Sequence, residues 1–271
     1  MQYITPAGIA GSNRELLDRL HRSANGPFTA SQAAHMLGLP EVRTQRLLRY
    51  LSQRGWLSRV KRGLYVIVPL GATTPSDWRE DTWVVAVTAF TPCYIAGWSA
   101  CEHWALTEQI FRTILVATAK PFRAAEIEVQ STPFRLRSMA VEKQFGTTTV
   151  WRGKTRVPVS NATRSIVDVL ADPSMGGGIR HVAEMLATYI AGEHRDDKLL
   201  VQYAERLGNR TVFKRLGYLL EALDIAAPDL IAGCHERLSA GVTTLDPAVS
   251  TKGAIHSRWH LRVNMTVGGG S

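Results

Sequence analysis

Seven cations fall within residues 41–67: Arg43, Arg46, Arg49, Arg54, Arg59, Lys61 and Arg62, against the single acid Glu41. Guanidinium and ammonium groups at this density hold phosphate oxygens, and an arginine inside a groove also reads guanine edges. Two features separate the stretch from an ordinary charged surface. No acids are interleaved for i,i+4 pairing, as they are on a solvated helix. The charge is also segregated: residues 1–75 hold ten Lys/Arg and three Asp/Glu, a net of +7, while the remainder holds 22 and 20, a net of +2. At about 100° per residue, Thr44, Leu47, Leu48 and Leu51 share one helix face. Val42, Arg46, Arg49 and Gln53 share the opposite face, flanked by Arg43 and Gln45. The predicted DNA-binding set is therefore Val42, Arg43, Gln45, Arg46 and Arg49 on the helix, with Arg59, Lys61 and Arg62 on the segment after it. Val42 is placed to meet a thymine methyl.

Other groupings carry weaker chemistry. His256 and His260 have the i,i+4 spacing of a helical metal site, but Trp259, Leu261 and Val263 alternate as a strand does. Cys93, Cys101 and His103 lack the paired spacing of a zinc site and adjoin Trp98 and Trp104, so the thiols read as small buried hydrophobes. Glu126 and Glu128 share a strand face with Lys143 downstream, as in some metal-dependent nucleases, but without the acid-x-lysine tripeptide. Gly176, Gly177 and Gly178 precede a helix without the Lys-Ser/Thr of a phosphate loop and read as a turn. Asp168 is expected to pair with Arg164 four residues earlier. No catalytic residue, metal or cofactor is assigned.

The basic stretch needs a scaffold, and the chain before it supplies one. Ser12 or Asn13 is expected to cap a first helix with Leu16, Leu17 and Leu20 inward, and Asn25-Gly26-Pro27 breaks it. Thr29 or Ser31 caps a second helix through Ala33, Ala34, Met36 and Leu37. Gly38-Leu39-Pro40 turns into the basic helix, which Gly55 ends. Residues 56–60 and 64–68 are β-prone and are joined by Lys61-Arg62-Gly63. Alternation places Val60 toward the domain, with Arg59 and Lys61 together on the free face. Helix, helix, turn, helix and hairpin is the order of a winged helix-turn-helix, assigned to residues 1–70.

Residues 71–76 read as a linker. Residues 77–175 are expected to form an α+β domain. Its helices lie at 77–90, with Trp78, Val84, Val85 and Val87 inward, and at 99–106. Its strands lie at 113–118, 126–130, 134–139 and 147–151, in a mostly antiparallel sheet, and a helix follows at 163–170. Residues 176–267 are mainly helical, with a last strand over 259–263 expected to return to that sheet. The glycine-rich tail, 268–271, is set outside the fold.

The chain has 271 residues, 45% hydrophobic and 20% charged, the balance of a folded globular protein. Its net charge of +9 favours a polyanionic partner. The cysteines are Cys93, Cys101 and Cys234; an odd, sparse set with no signal-peptide pattern points to reduced thiols and a cytoplasmic protein. No apolar run approaches the ~20 residues of a membrane helix.

The stretch RGWLSRVKRGLYVIVP is similar to the N-terminal domain of AbiEi-type antitoxins of type IV toxin–antitoxin (abortive infection) systems. The resemblance continues through IAGWSACEHWALTEQ, TILVAT, VPVSNATRSIVDVLADP, FKRLGYLLEAL, LDP and RWHLRVN, in that order, over nearly the whole chain. It implies a repressor that binds operator DNA upstream of its own operon; binding as two or more copies is a separate expectation, with the oligomeric state left open. It implies that residues 77–267 counteract a nucleotidyltransferase toxin encoded alongside, without a stable complex. It assigns no antitoxin residues. A reading from a different class is a single-component regulator whose C-terminal part senses a ligand, or a nuclease.

Overall fold

The computed structural model describes residues 8, 9, 11–69, 72, 78–250 and 252–267. The expected linker, apart from residue 72, and the tail lie outside the described residues. Of the first three helices, the second carries a side-chain cap at its start. α1 (Gly11–Ser23) buries Leu17 and Leu20; it begins ahead of both expected caps, so Ser12 and Asn13 lie in its first turn. β1 (Phe28–Thr29) is a strand of two residues, too short to show a period in the sequence. α2 (Ala30–Leu37) starts on a reciprocal cap: Gln32 N–H donates to Thr29 Oγ1 at 3.2 Å, and Thr29 N–H donates to Gln32 Oε1 at 2.8 Å. Gly38, at φ 64°, closes the helix. α3 (Glu41–Gln53) follows Pro40 and buries Thr44, Leu47, Leu48 and Leu51, the face the helical wheel assigns.

β2 (Leu57–Lys61) and β3 (Leu64–Ile67) form the hairpin, and β1 adds to β3 as Phe28 opposite Tyr65. β3 packs on both faces, with Leu64 and Val66 buried and Tyr65 and Ile67 half-buried. Tyr65 and Ile67 pack on the three-helix core with Leu20, Leu48 and Leu51. Leu64 and Val66 point the other way, with Val60, into a second core beside Trp83, Phe90 and Val116. The wing is thus wedged between two layers.

That second layer belongs to the C-terminal region. α4 (Thr82–Phe90) is shorter than the expected 77–90 because Asp81 takes the cap, its Oδ1 accepting from Trp83 N–H at 2.8 Å and Val84 N–H at 3.2 Å. β4 (Cys93–Ile95), α5 (Gly97–His103), β5 (Ile114–Thr118), β6 (Glu126–Val129), β7 (Thr132–Ser138), β8 (Thr147–Arg152) and β9 (Thr155–Ser160) follow. The six strands form one sheet in the order β6-β7-β5-β4-β9-β8. β4–β5, β6–β7 and β8–β9 pair antiparallel, whereas β5–β7 and β4–β9 pair parallel. The fold is α+β with a mixed, mostly antiparallel sheet. Strand alternation divides its residues: Val116 and Ile95 face α4 and the wing, while Leu115, Ala117 and Tyr94 face the helical layer.

The helical layer is α6 (Ala162–Ala171), α7 (Ile179–Ala191), α8 (Asp197–Leu207), α9 (Thr211–Ala222) and α10 (Pro228–Glu236). Its core draws on residues from both sides of position 176, among them Tyr94, Ile166, Leu186 and Leu216. The last strand departs from expectation. β10 (Thr243–Thr244), β11 (Ala254–His256) and β12 (Leu261–Val263) form a separate sheet in the order β10-β12-β11. Trp259 lies in a 3-10 turn, buried on α9, where a Cβ on Gly217 would fall 2.1 Å from its ring. Anchored there, the strand cannot reach the six-stranded sheet.

Candidate nucleic-acid interface

α3 presents one face to its core and the other outward, so Val42, Arg43, Gln45, Arg46 and Arg49 are all exposed. The hairpin stands beside it. Gln45 and Arg49 from α3, with Arg59 and Arg62 from the wing, line one groove of about 510 Å³. Ala30, Ser52, Gln53, Gly63 and Tyr65 complete it. Arg43, Arg46, Arg49, Arg59 and Arg62 make no hydrogen bond or ion pair within the protein, among the described residues. Arg54 differs: its Nη1 donates to the Gly8 carbonyl at 2.9 Å and its guanidinium lies 5.2 Å from the Tyr50 ring centre. The groove is therefore a concave wall of uncompensated guanidinium groups, with Glu41 its nearby acid, accepting from Gln45 Nε2 at 3.4 Å.

Four of the eight expected residues, Gln45, Arg49, Arg59 and Arg62, line the groove; Val42, Arg43 and Arg46 are exposed on α3, and Lys61 points elsewhere. The pairing shifts register between Arg59 and Lys61, a bulge that breaks simple alternation. Val60 is buried as expected, but Lys61 turns toward α4. Its Nζ donates to the Ala89 carbonyl at 3.1 Å and sits 5.3 Å from the centre of the Phe90 ring. Burial, and then the nearby charge of Lys120, depress its pKa. The expectation that Arg59 and Lys61 share a free face is corrected by that bulge. Tyr65, opposite Arg59 in the ladder, lines the groove and was missed from the sequence; strict alternation from buried Leu64 and Val66 was the signal for it.

The remaining groupings resolve into structural roles. Arg164 Nε donates to Asp168 Oδ1 at 2.9 Å, the expected i,i+4 pair, and Tyr94 Oη donates to Asp168 Oδ2 at 3.0 Å. Burial pushes the Asp168 carboxyl up, and Arg164 and Tyr94 oppose that. At the start of α7, Ile179 N–H donates to Asp246 Oδ2 at 2.8 Å, so a carboxylate of the chain sits where a phosphate would bind after the glycine loop. Arg215 donates to the carbonyls of Leu170, Ala171, Thr244 and Leu245. The segments SIVDVLADP, FKRLGYLLEAL and LDP thereby lock together through side-chain contacts to backbone.

His256 and His260 are separated by the 3-10 turn rather than stacked on a helix, and His260 Nδ1 is 2.9 Å from the Ser239 carbonyl. Glu126 and Glu128 are exposed on the edge strand β6. All three thiols are buried, and burial pushes those of Cys93 and Cys234 up to about 12. Among the described residues there is no group of three or more His, Cys, Asp or Glu that could hold a metal ion, and no helix is long and apolar enough to cross a membrane.

A winged helix-turn-helix wedged onto a six-stranded α+β region defines the class. Within it, residues 15–68 match the family described as transcriptional regulator, AbiEi antitoxin. The resemblance read from the sequence is shown over that stretch, which carries α3 and the wing. The crystal structure of the RV2827C protein from Mycobacterium tuberculosis is similar over 95% of this chain and 93% of that one, with a TM-score of 0.65 and 14% identity. At that identity the likeness is one of fold, and it extends through the C-terminal region. No curated protein matches the chain.

Proposed function

We propose that the protein represses its own operon by binding operator DNA through α3 and the wing, and acts as the antitoxin of a type IV toxin–antitoxin system in the cytoplasm. The observation that carries the DNA reading is the groove of unpaired arginines, Arg49, Arg59 and Arg62, continuous with Arg43 and Arg46 on α3. Lys61 is removed from that groove set. Val42, 63% exposed at the start of α3, is left to meet a thymine methyl. The antitoxin role rests on the family description; the nucleotidyltransferase toxin and the abortive-infection setting rest on the resemblance read from the sequence. The C-terminal region performs that role without forming a stable complex and without a catalytic step of its own.

Phosphate contacts release counterions, each steepening the salt dependence of log K by about 0.9. Arg49→Ala, Arg59→Ala and Arg62→Ala together should lower the slope by roughly two to three units if each arginine holds a phosphate. An unchanged slope in titrations of the full chain on DNA from upstream of its gene would remove the groove from the interface. The same triple variant separates the two activities. Deleting the winged helix would expose Trp83 and Phe90, so truncation is a poor test of antitoxicity. The full-length triple variant, expressed with the neighbouring toxin from a foreign promoter, should still restore growth. Loss of rescue there, where no operator is present, would mean that the groove arginines take part in antitoxicity itself.

A second reading has one observation in its favour. A cleft of about 680 Å³ beside the end of β7 is lined by Arg137, Lys143, Asp168, Asp172 and Asn209. A single-component regulator sensing a small polar ligand there would bind DNA without any toxin gene beside it.

A further inference from the structure

The wing has a second cationic feature, on the side away from the α3 groove. Ala89 O is one of the carbonyls left free at the C-terminal end of α4, where a single donor is the ordinary cap. Here two lysines converge on it. Lys61 Nζ, from the wing, donates at 3.1 Å, and Lys120 Nζ, from the loop after β5, donates at 3.0 Å. Sharing one oxygen holds the ammonium groups within about 6 Å of each other, a distance at which like charges repel. Neither has a carboxylate partner among the described residues. Lys120 is exposed, and Arg62, the residue after Lys61, is exposed at the wing turn. The helix dipole accounts for one cation at this place; the second leaves surplus positive charge at the junction of wing and C-terminal region.

We propose that Lys61 and Lys120 together bind a phosphate of the DNA backbone, so that the C-terminal region supplies one jaw of the DNA site and the wing tip lies between two phosphate contacts. This rests on the reading of the α3–wing groove as the DNA site. Arg62 faces that groove on one side of the wing and Lys61 the paired-lysine site on the other. Arg62 and Lys61 are consecutive in the chain, so a backbone leaving the groove past Arg62 has the paired-lysine site one residue along the wing. The site also explains how a region with a net charge of only +2 takes part in binding a polyanion: the charge that matters is local.

The test uses the full chain, a duplex from upstream of its gene and a scrambled duplex, titrated at several salt concentrations. Lys120→Gln should lower the slope of log K against log salt by about 0.9 on both duplexes, because a phosphate contact carries little sequence information. Lys120→Arg should keep the wild-type slope. Melting of Lys120→Gln should stay at the wild-type temperature, since the other donor still caps Ala89. Arg49→Gln serves as the groove control. If Arg49→Gln flattens the slope and Lys120→Gln does not, the paired-lysine site is overturned and the groove reading stands. If Lys120→Gln weakens binding at every salt concentration with the wild-type slope, Lys120 only props the wing, and the proposal is again overturned. If the wild type binds neither duplex, the groove reading and this proposal fall together.

Discussion

Arg49, Arg59 and Arg62 were legible in the sequence because a basic residue needs no tertiary context to be noticed. Lys61 was not, because its partner, the Ala89 carbonyl, comes from a helix outside the winged-helix domain. Asp168 illustrates the reverse case: its partner lies one helical turn away, so spacing alone found it. Both partners are buried, and removing one leaves the other uncompensated. Asp168→Asn should therefore destabilise the protein by roughly 3–5 kcal/mol, the usual cost of breaking a buried ion pair. A denaturant midpoint unchanged from wild type would show that Arg164 is satisfied without it. Burial keeps the Cys93 and Cys234 thiols protonated well above neutral pH. A thiol reagent at pH 8 should thus label the denatured protein promptly and the native protein slowly. Prompt labelling of the native protein would place a thiol at the surface.

Elements with a full period were readable, and those without one were not. α3 spans more than three turns, enough for the wheel to assign its buried face. β1 and β4, of two and three residues, carry no alternation to read, and the last strand was misplaced because Trp259 packs on α9 rather than on a sheet. Leu48 is fully buried at the centre of the α3 face. Leu48→Ala should cost about 2–5 kcal/mol, measured as a shift in melting of the full chain. A curve that did not move would contradict the packing of α3. Gly63 turns the wing at φ 81°, with nothing within 4 Å of where a Cβ would sit. A side chain there meets backbone strain alone. Gly63→Val should cost roughly 1–2 kcal/mol and weaken DNA binding by displacing Arg62. Unaltered stability would show that the turn tolerates a branched residue.

At the scale of the molecule, the charge split between the two regions was visible in composition, but their joint core was not. Val60, Leu64 and Val66 look like one ordinary hairpin face in sequence, and nothing local says that this face is covered by α4 and the six-stranded sheet. Because it is, the winged helix is expected to unfold together with that sheet. Residues 1–70 alone should melt lower than the same residues in the full chain and expose apolar surface to a dye. Equal stability would make the winged helix an independent module. The docking also fixes where the α3 groove sits relative to Lys120, which a flexible tether would not do. The most direct measurement for the central claim is fluorescence anisotropy of the full chain against the upstream duplex and the scrambled one, for wild type and Arg46→Ala. Arg46 is exposed on the outer face of α3 and unpaired. A bidentate contact to guanine supplies about 1–3 kcal/mol of discrimination. Wild type should prefer the upstream duplex, and Arg46→Ala should lose roughly that much of the preference while keeping its affinity for scrambled DNA. Wild-type protein that binds both duplexes equally, or neither, would contradict the account.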